Sequence, residues 1–293
     1  MKEIRGCGTA LITPFLGNDE VDLDTFRSLV QRQIDAGVNF LVPLGTTGEA
    51  PSLDDYEKER LLDTLTEQNN GRIPVVAGAG SNCTKQVISG MAKLSKYKPD
   101  AFLIVVPYYN KPTQEGIFQH YKAVSESTSI PVIMYNIPGR TGVNMTAETT
   151  LRLAELKNII AVKESSGNFA QISEIIRLAP DRFAVLSGND DETFPMICTG
   201  AKGVISVAAN IIPSRVVELT GLLEAGKTAE AALLHHRLMP LFKGCFIECS
   251  PIPVKSALAL MGLIENRLRL PLTTSVIQTN QLLEKLLKEN GCL

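Results

Sequence analysis

Apolar residues along the chain follow two patterns that alternate. Eight short runs are nearly continuous in Val, Ile and Leu, which is typical of parallel strands buried on both faces. These runs cover 8–14, 40–45, 74–78, 101–107, 131–136, 159–164, 183–188 and 203–208. Longer stretches between them carry apolar residues at helical spacing, and the first such stretch ends just before Gly37, where a C-cap glycine belongs. The predicted helices cover 22–36, 52–67, 84–96, 114–127, 146–156, 168–179, 190–199 and 213–225.

The repeated alternation of strand and helix, over roughly 220 residues, predicts an α/β protein folded as a (β/α)8 TIM barrel. A doubly wound open sheet gives the same pattern and remains the alternative, because pattern alone does not reveal whether a sheet closes. No G-x-G-x-x-G motif follows any strand, and the segment 78–83 begins in that way but lacks the last glycine. A dinucleotide site is therefore not expected.

The strand pattern stops after residue 225, and helical stretches follow over 227–247, 253–262 and 275–289. We therefore predict a catalytic barrel over 1–225 and a C-terminal helical domain over 226–293. Prolines are expected to break the helical pattern of this domain, because proline lacks the amide that an internal helical hydrogen bond needs. These prolines are Pro240, Pro251, Pro253 and Pro271.

Composition excludes several classes of function. The chain has 29 Lys and Arg against 31 Asp and Glu, which does not suit a nucleic-acid binder. No apolar run approaches the ~20 residues that cross a bilayer, and the first residues lack a signal-peptide pattern, so we expect a cytoplasmic protein. Six cysteines form no C-x-x-C pair and are expected to be free thiols, and the three histidines form no metal motif.

Lys163 closes the apolar strand 159–164 at its carboxyl end, where barrel enzymes place their active sites. Burial lowers the pKa of a lysine, and a neutral amine can attack a ketone to form a Schiff base. A strand-end lysine that reaches solvent is the alternative for this strand taken alone. Strand alternation predicts that Glu164 points to the opposite face.

Other strand ends carry groups that would complete a Schiff-base site. The segment Gly45–Glu49 (GTTGE) offers hydroxyls and amides that can hold a carboxylate, although an ordinary tight loop would look the same. Tyr135 shares a strand face with Ile133 and could carry protons, whereas a packed aromatic is the alternative. Arg140 has the planar fork that binds carboxylates, if it is not simply a solvated loop residue.

The remaining polar residues at strand ends have simpler interpretations. Tyr108 and Tyr109 follow the strand 101–107 and could be proton carriers or packed aromatics. Asn189 or Asp190 is expected to cap the next helix. Two cysteines of the C-terminal region, Cys245 and Cys249, are expected to pack in its interior.

The motifs GTTGE, PYYNKPTQEG, YNIPGRTG, VKE, SGNDD and GVISV together resemble the pyruvate-dependent class I aldolase family, which includes dihydrodipicolinate synthases and N-acetylneuraminate lyases. The resemblance runs from GTALITPF near the start to ENRLRLPL near the end. It implies a (β/α)8 barrel, a Schiff base between Lys163 and pyruvate, and no metal or organic cofactor. It also implies a homotetramer built as a dimer of tight dimers.

The resemblance assigns a role to each candidate residue. Thr46 and Thr47 would bind the pyruvate carboxylate, and Gly188 and Ile205 would line the pocket. The proton relay would consist of Thr47, Tyr135 and Tyr109, with Tyr109 reaching in from a neighbouring subunit.

Arg140 points to the synthase branch of this family, because the lyases usually lack an arginine at this position. The resemblance then implies that Arg140 holds the carboxylate of L-aspartate 4-semialdehyde, and that the product begins diaminopimelate and lysine synthesis. The alternatives are a related aldolase acting on a sugar acid, such as N-acetylneuraminate or 2-keto-3-deoxygluconate, and a non-catalytic pyruvate-binding protein.

Many family members are inhibited by lysine at a dimer interface. The chain matches or nearly matches that site at Ala50, Asn82 and Tyr108. It departs from the sensitive pattern, which has two histidines and a glutamate, at Asp55, Lys58 and Gln86. We therefore expect weak or absent inhibition by lysine. A smaller departure is Ser250 before Pro251, where asparagine is usual.

Overall fold

The structure, a computed structural model, describes residues 3–293. Its eight strands are β1 (Gly6–Ala10), β2 (Phe40–Val42), β3 (Val76–Gly78), β4 (Ala101–Val105), β5 (Val132–Asn136), β6 (Ile159–Glu164), β7 (Ala184–Ser187) and β8 (Gly203–Ser206). They are parallel and lie in the order β2-β1-β8-β7-β6-β5-β4-β3. A bridge between Leu41 and Val75 joins the two ends of this order, so the sheet closes and the barrel prediction is confirmed.

Helices follow every strand and surround the barrel. The first nine are α1 (Leu23–Asp35), α2 (Asp55–Asn69), α3 (Thr84–Leu94), α4 (Gln114–Glu126), α5 (Pro138–Thr141), α6 (Ala147–Ala154), α7 (Phe169–Leu178), α8 (Thr193–Cys198) and α9 (Pro213–Glu224). The C-terminal helices are α10 (Thr228–Gly244), α11 (Ile252–Leu260) and α12 (Ile277–Glu289). The predicted domain boundary at 225/226 falls in the turn between α9 and α10.

The prediction that Pro240 breaks the helical pattern is wrong, since α10 continues through it. Proline removes one hydrogen bond from a helix interior, but packing can outweigh that loss. Leu238, Leu241 and Phe242, which flank Pro240, are all buried in the core. Pro253, by contrast, lies in the first turn of α11, where a missing amide costs nothing.

Two hydrophobic cores follow from strand alternation, because successive side chains point to opposite faces of the sheet. One core fills the barrel interior and includes Phe40, Leu103, Ile133, Ala161, Leu186 and Ile205. The other lies between the sheet and the helices and continues beneath the C-terminal helices, where His235 of α10 stacks on Phe194 of α8. Among the described residues, 3–293, no helix is long and apolar enough to span a membrane.

Candidate active site

A cavity of about 280 Å³ opens at the carboxyl ends of the strands, above the interior core. It brings together most of the residues singled out from the sequence. Those that line it are Thr46, Thr47, Tyr135, Arg140, Lys163 and Ile205. Tyr108 also lines this cavity, whereas Tyr109 does not.

Lys163 and Tyr135 face each other at the floor of this cavity. The two residues are paired in the register of β5 and β6, and their side chains both point into the barrel. The Nζ atom of Lys163 lies 4.1 Å from the centroid of the Tyr135 ring, and both residues are only 6% exposed. The lysine is therefore buried rather than extended into solvent, so the buried interpretation of this strand end is the one observed.

Gly188 leaves the space that the Lys163 side chain occupies. A Cβ atom at this position would lie 2.7 Å from the Cε atom of Lys163 and would also overlap the hydroxyl of Ser165. Side-chain atoms do not approach a Cβ so closely, so the residue after β7 must be glycine for Lys163 to adopt this conformation. The Ser165 hydroxyl is itself buried and has no hydrogen-bond partner among residues 3–293.

The GTTGE segment forms a compact turn after β2. The amide of Gly48 donates to the carbonyl of Gly45 at 3.1 Å, and the amide of Glu49 donates to that of Thr46 at 3.1 Å. Thr47 is buried at the cavity wall while Thr46 is exposed at its mouth. Within residues 3–293, the amides of Thr46 and Thr47 donate to no backbone acceptor, so they are available to a carboxylate.

Arg140 lies in the short helix α5, and residues of the C-terminal region contact its guanidinium group. Its Nη2 donates to the backbone carbonyl of Ser250 at 2.9 Å, and Cys249 Sγ lies 3.6 Å from Nη1. The prediction that Cys249 packs in the interior is wrong, since it is exposed beside Arg140, whereas Cys245 is buried as expected. Because Ser250 acts through its carbonyl, the change from the usual asparagine leaves this contact intact.

Tyr109 points away from the cavity of its own chain and is 88% exposed. Its backbone has φ = 73°, and the amide of Asn110 donates across it to the carbonyl of Tyr108 at 2.9 Å. A positive φ at a tyrosine is strained, so the surrounding turn holds this outward position at some energetic cost. The geometry leaves the Tyr109 side chain free to enter a neighbouring subunit.

Two buried carboxylates lie just outside the cavity. Glu164 points away from Lys163 as expected and accepts hydrogen bonds from Ser166 N at 2.8 Å and Asn136 Nδ2 at 3.1 Å. Burial raises the pKa of Glu164. The prediction that Asp190 caps the following helix is wrong. The Asp190 carboxylate instead accepts from the amides of Val207 and Ala208, both at 3.0 Å, which fastens the end of β8 to the end of β7.

Sequence reasoning missed the residues that support the site from behind. Lys255 and Glu49 form an ion pair that is closed to solvent, and Thr13 accepts from Lys255 and donates to the carbonyl of Gly48, the residue before Glu49. The available signal was a lysine inside the apolar run IPVKSALAL, where a charge needs a partner. No group of three or more His, Cys, Asp or Glu side chains in the described part of the chain is arranged to hold a metal ion.

Comparisons with known proteins agree with this geometry. The model of the dihydrodipicolinate synthetase family matches residues 3–290. The 4-hydroxy-tetrahydrodipicolinate synthase of Thermotoga neapolitana is 48% identical over 99% of both chains, and that of Phocaeicola vulgatus is 50% identical over 98% of this chain and 97% of its own. The crystal structure of dihydrodipicolinate synthase from Thermotoga maritima superposes with a TM-score of 0.97 at 46% identity, over 99% of both chains. The chain therefore belongs to the dihydrodipicolinate synthetase family.

Proposed function

We propose that the chain condenses pyruvate with L-aspartate 4-semialdehyde to give 4-hydroxy-tetrahydrodipicolinate, the product in the name of its relatives. The observation that carries the proposal is the buried Lys163, which lies against Tyr135 at the floor of a cavity that also has two threonines and an arginine on its walls. A lysine, a phenol and two carboxylate-binding groups are the parts that this reaction needs.

The first step is imine formation. The Nζ of Lys163 attacks the ketone carbon of pyruvate and water leaves, while Thr46 and Thr47 hold the carboxylate through their hydroxyls and free amides. The positive imine acidifies the neighbouring methyl group, so loss of one proton gives an enamine. Tyr135 and Thr47, with Tyr109 of a neighbouring subunit, carry the protons of these steps.

The second step joins the substrates. The enamine carbon forms a bond to the aldehyde carbon of the semialdehyde, and the aldehyde oxygen takes up a proton to become a hydroxyl. Arg140 holds the carboxylate of this substrate at the cavity mouth. The amino group of the semialdehyde then attacks the imine carbon, which closes the ring and releases Lys163. The hydroxyl is retained in the product named for the relatives.

The exposed position of Tyr109 supports a dimer in which each subunit completes the site of the other, and we extend this to a homotetramer built from two such dimers. We place the enzyme in the cytoplasm, in the synthesis of diaminopimelate and lysine, without a nucleic-acid or membrane partner. The reaction as written needs no metal and no organic cofactor.

Borohydride reduction in the presence of pyruvate, followed by peptide mass mapping, tests the Schiff base. The reduced adduct should appear on Lys163 and nowhere else. The matched internal control is Lys255, which is buried even more completely and does not line the cavity. An unmodified Lys163 would overturn the mechanism.

A substitution and a panel of alternative substrates test the identity of the second substrate. Arg140→Ala should raise the KM for the semialdehyde about a hundredfold, as expected for loss of a charge-assisted carboxylate contact, and should leave imine formation with pyruvate unchanged. Cleavage of N-acetylneuraminate or 2-keto-3-deoxygluconate faster than condensation with the semialdehyde would favour the sugar-acid alternative instead.

A further inference from the structure

The Glu49–Lys255 pair joins the barrel to the C-terminal helices at a point next to the active site. The Nζ of Lys255 donates to Glu49 Oε1 at 2.7 Å, and the two side chains are 0% and 1% exposed. The second carboxylate oxygen of Glu49 accepts from the amide of Arg269 at 3.1 Å. Burial lowers the pKa of Lys255 to about 8 although Glu49 acts in the opposite direction.

Glu49 is the last residue of the turn that presents Thr46 and Thr47. Its backbone has φ = 52°, which is strained for a glutamate, and its amide holds the carbonyl of Thr46. A strained turn persists only where its surroundings fix it, and the buried carboxylate supplies that fixation here. The position of Glu49 therefore determines the position of the two threonines.

Thr13 adds a second contact to the same end of the turn. Its hydroxyl donates to the carbonyl of Gly48 at 2.7 Å, and its own carbonyl accepts from Lys255 Nζ at 2.9 Å. The ammonium of Lys255 also lies 4.2 Å from the centroid of the Phe15 ring. A single lysine thus contacts, directly or through one residue, the last two residues of the threonine turn, Gly48 and Glu49.

The same segment of chain also holds Arg140. Lys255 lies one helical turn after Pro251, and the carbonyl of Ser250 just before it accepts from the Arg140 guanidinium at 2.9 Å. The two groups that bind carboxylates, the threonine turn and Arg140, are therefore both fastened to the segment 250–255, which leads into α11.

Replacing a buried ion pair by uncharged groups of similar size is often neutral for stability, so stability alone does not account for this pair. We propose that Glu49 and Lys255 are positioning residues that hold the threonine turn and Arg140 at a fixed separation and thereby set the affinity for both substrates. The proposal rests on the proposed function above. Neither residue lines the active-site cavity, so neither is a catalytic residue.

The test compares Glu49→Gln, Lys255→Met and the double variant. Each single variant leaves one buried polar partner unpaired and should melt at a lower temperature than the wild type. The double variant should regain most of that loss, yet its KM for pyruvate and for the semialdehyde should remain about tenfold raised with kcat little changed. This separation of KM from stability is what a purely structural pair would not produce.

The matched control is the double variant Glu57→Gln/Arg269→Met. The side chains of that pair also tie the C-terminal region to the barrel, but through α2, and the variant keeps the backbone amide of residue 269 that donates to Glu49. It should lower the melting temperature and leave both KM values unchanged.

Wild-type KM values in the double variant would overturn the proposal. If the double variant does not fold, Glu49→Asp tests the same proposal. It keeps the charge but shortens the side chain by one methylene, so the carboxylate moves away from Lys255. A raised KM in Glu49→Asp supports positioning, and an unchanged KM contradicts it. Failure of the proposed function would be recognised separately. In that case borohydride and pyruvate would not label Lys163 in the wild-type protein.

Discussion

Tyr135 and Lys163 are direct neighbours across β5 and β6, with the lysine nitrogen 4.1 Å from the centroid of the tyrosine ring. The ring and the hydroxyl of Tyr135 therefore have separable effects. The ring lies against the lysine nitrogen and limits where it can move, whereas Tyr135 also lines the cavity, where its hydroxyl can exchange protons with the bound substrate.

Tyr135→Phe removes the hydroxyl and keeps the ring. We expect kcat to fall by roughly 10²–10³-fold, the usual size of a general acid-base contribution, while borohydride still traps pyruvate on Lys163. Tyr121→Phe is the matched control, because that buried tyrosine donates to the carbonyl of Ile104 on the outer face of the barrel. It should lose about 1 kcal/mol of stability and no activity. Equal kcat values for the two variants would exclude Tyr135 from the relay.

The floor of the site could be predicted from the sequence because strand alternation is a local rule. It places Tyr135 and Lys163 on the interior face of their strands and sends Glu164 to the opposite face, as the structure shows. The barrel itself was predicted for the same reason, since each βα unit has its own apolar strand run followed by apolar residues at helical spacing. The pattern alone left an open sheet as the alternative to the closed barrel, because closure depends on a bridge between Leu41 and Val75 that no local pattern specifies.

The supports of the site depend on residues far apart in the chain, and these were missed. Asp190 was expected to cap its own helix, a local role, but it binds amides after β8. Lys255 reaches Glu49 across 206 positions. The path of α10 through Pro240 likewise follows from packing by buried neighbours, which outweighs the intrinsic preference of proline.

Gly188→Ala tests whether the lysine conformation depends on close packing. The new methyl group would lie 2.7 Å from Lys163 Cε, so the side chain must shift, and a displacement of about 1 Å can cost 10²-fold in rate. We expect kcat/KM to fall by about that factor. Gly221→Ala in α9 should keep full activity and gain up to ~1 kcal/mol in stability, since outside the helix's own backbone no atom of the described chain lies within 4 Å of the added Cβ. Normal kinetics in Gly188→Ala would show that the pocket absorbs the methyl group.

His120 should make the protein sensitive to mild acid. It is buried, its Nε2 has no hydrogen-bond partner among residues 3–293, and burial lowers its pKa from 6.5 to about 4. Between these values the unfolded chain binds a proton that the folded chain does not, so stability falls as pH drops from 6.5 towards 4. We expect this histidine to contribute a loss of about 2 kcal/mol between pH 7 and pH 5, measured by urea unfolding.

His120→Gln removes the titrating group and should reduce the pH dependence by that amount. His236→Gln, at an exposed position, is the control and should behave as the wild type does. Identical pH dependence in the His120 variant and the wild type would assign the acid sensitivity to other groups.

Inhibition by lysine is predicted to be weak. A cavity of about 490 Å³ beside the active site is lined by Asp55, Lys58, Gln86 and Tyr108, but the Asp55 carboxylate is already paired with Lys93. Lys58 adds a cation where a ligand ammonium would lie, and Gln86 offers no charge to attract it. Half-maximal inhibition should therefore need a lysine concentration above the submillimolar range. The double variant Lys58→His/Gln86→Glu should increase sensitivity, and submillimolar inhibition of the wild type would refute the prediction.

The outward position of Tyr109 predicts that inactive variants complement each other. Tyr109→Phe and Lys163→Ala should each be nearly inactive alone. In a mixed dimer, the subunit that keeps Lys163 receives Tyr109 from its Lys163→Ala partner, so one of the two sites is complete. With random pairing, co-expression of equal amounts should restore about a quarter of wild-type activity. Tyr108→Phe serves as the control, since Tyr108 lines the cavity of its own chain and should not complement Lys163→Ala beyond the sum of the separate activities. No gain from mixing Tyr109→Phe with Lys163→Ala would mean that Tyr109 does not act across a subunit interface.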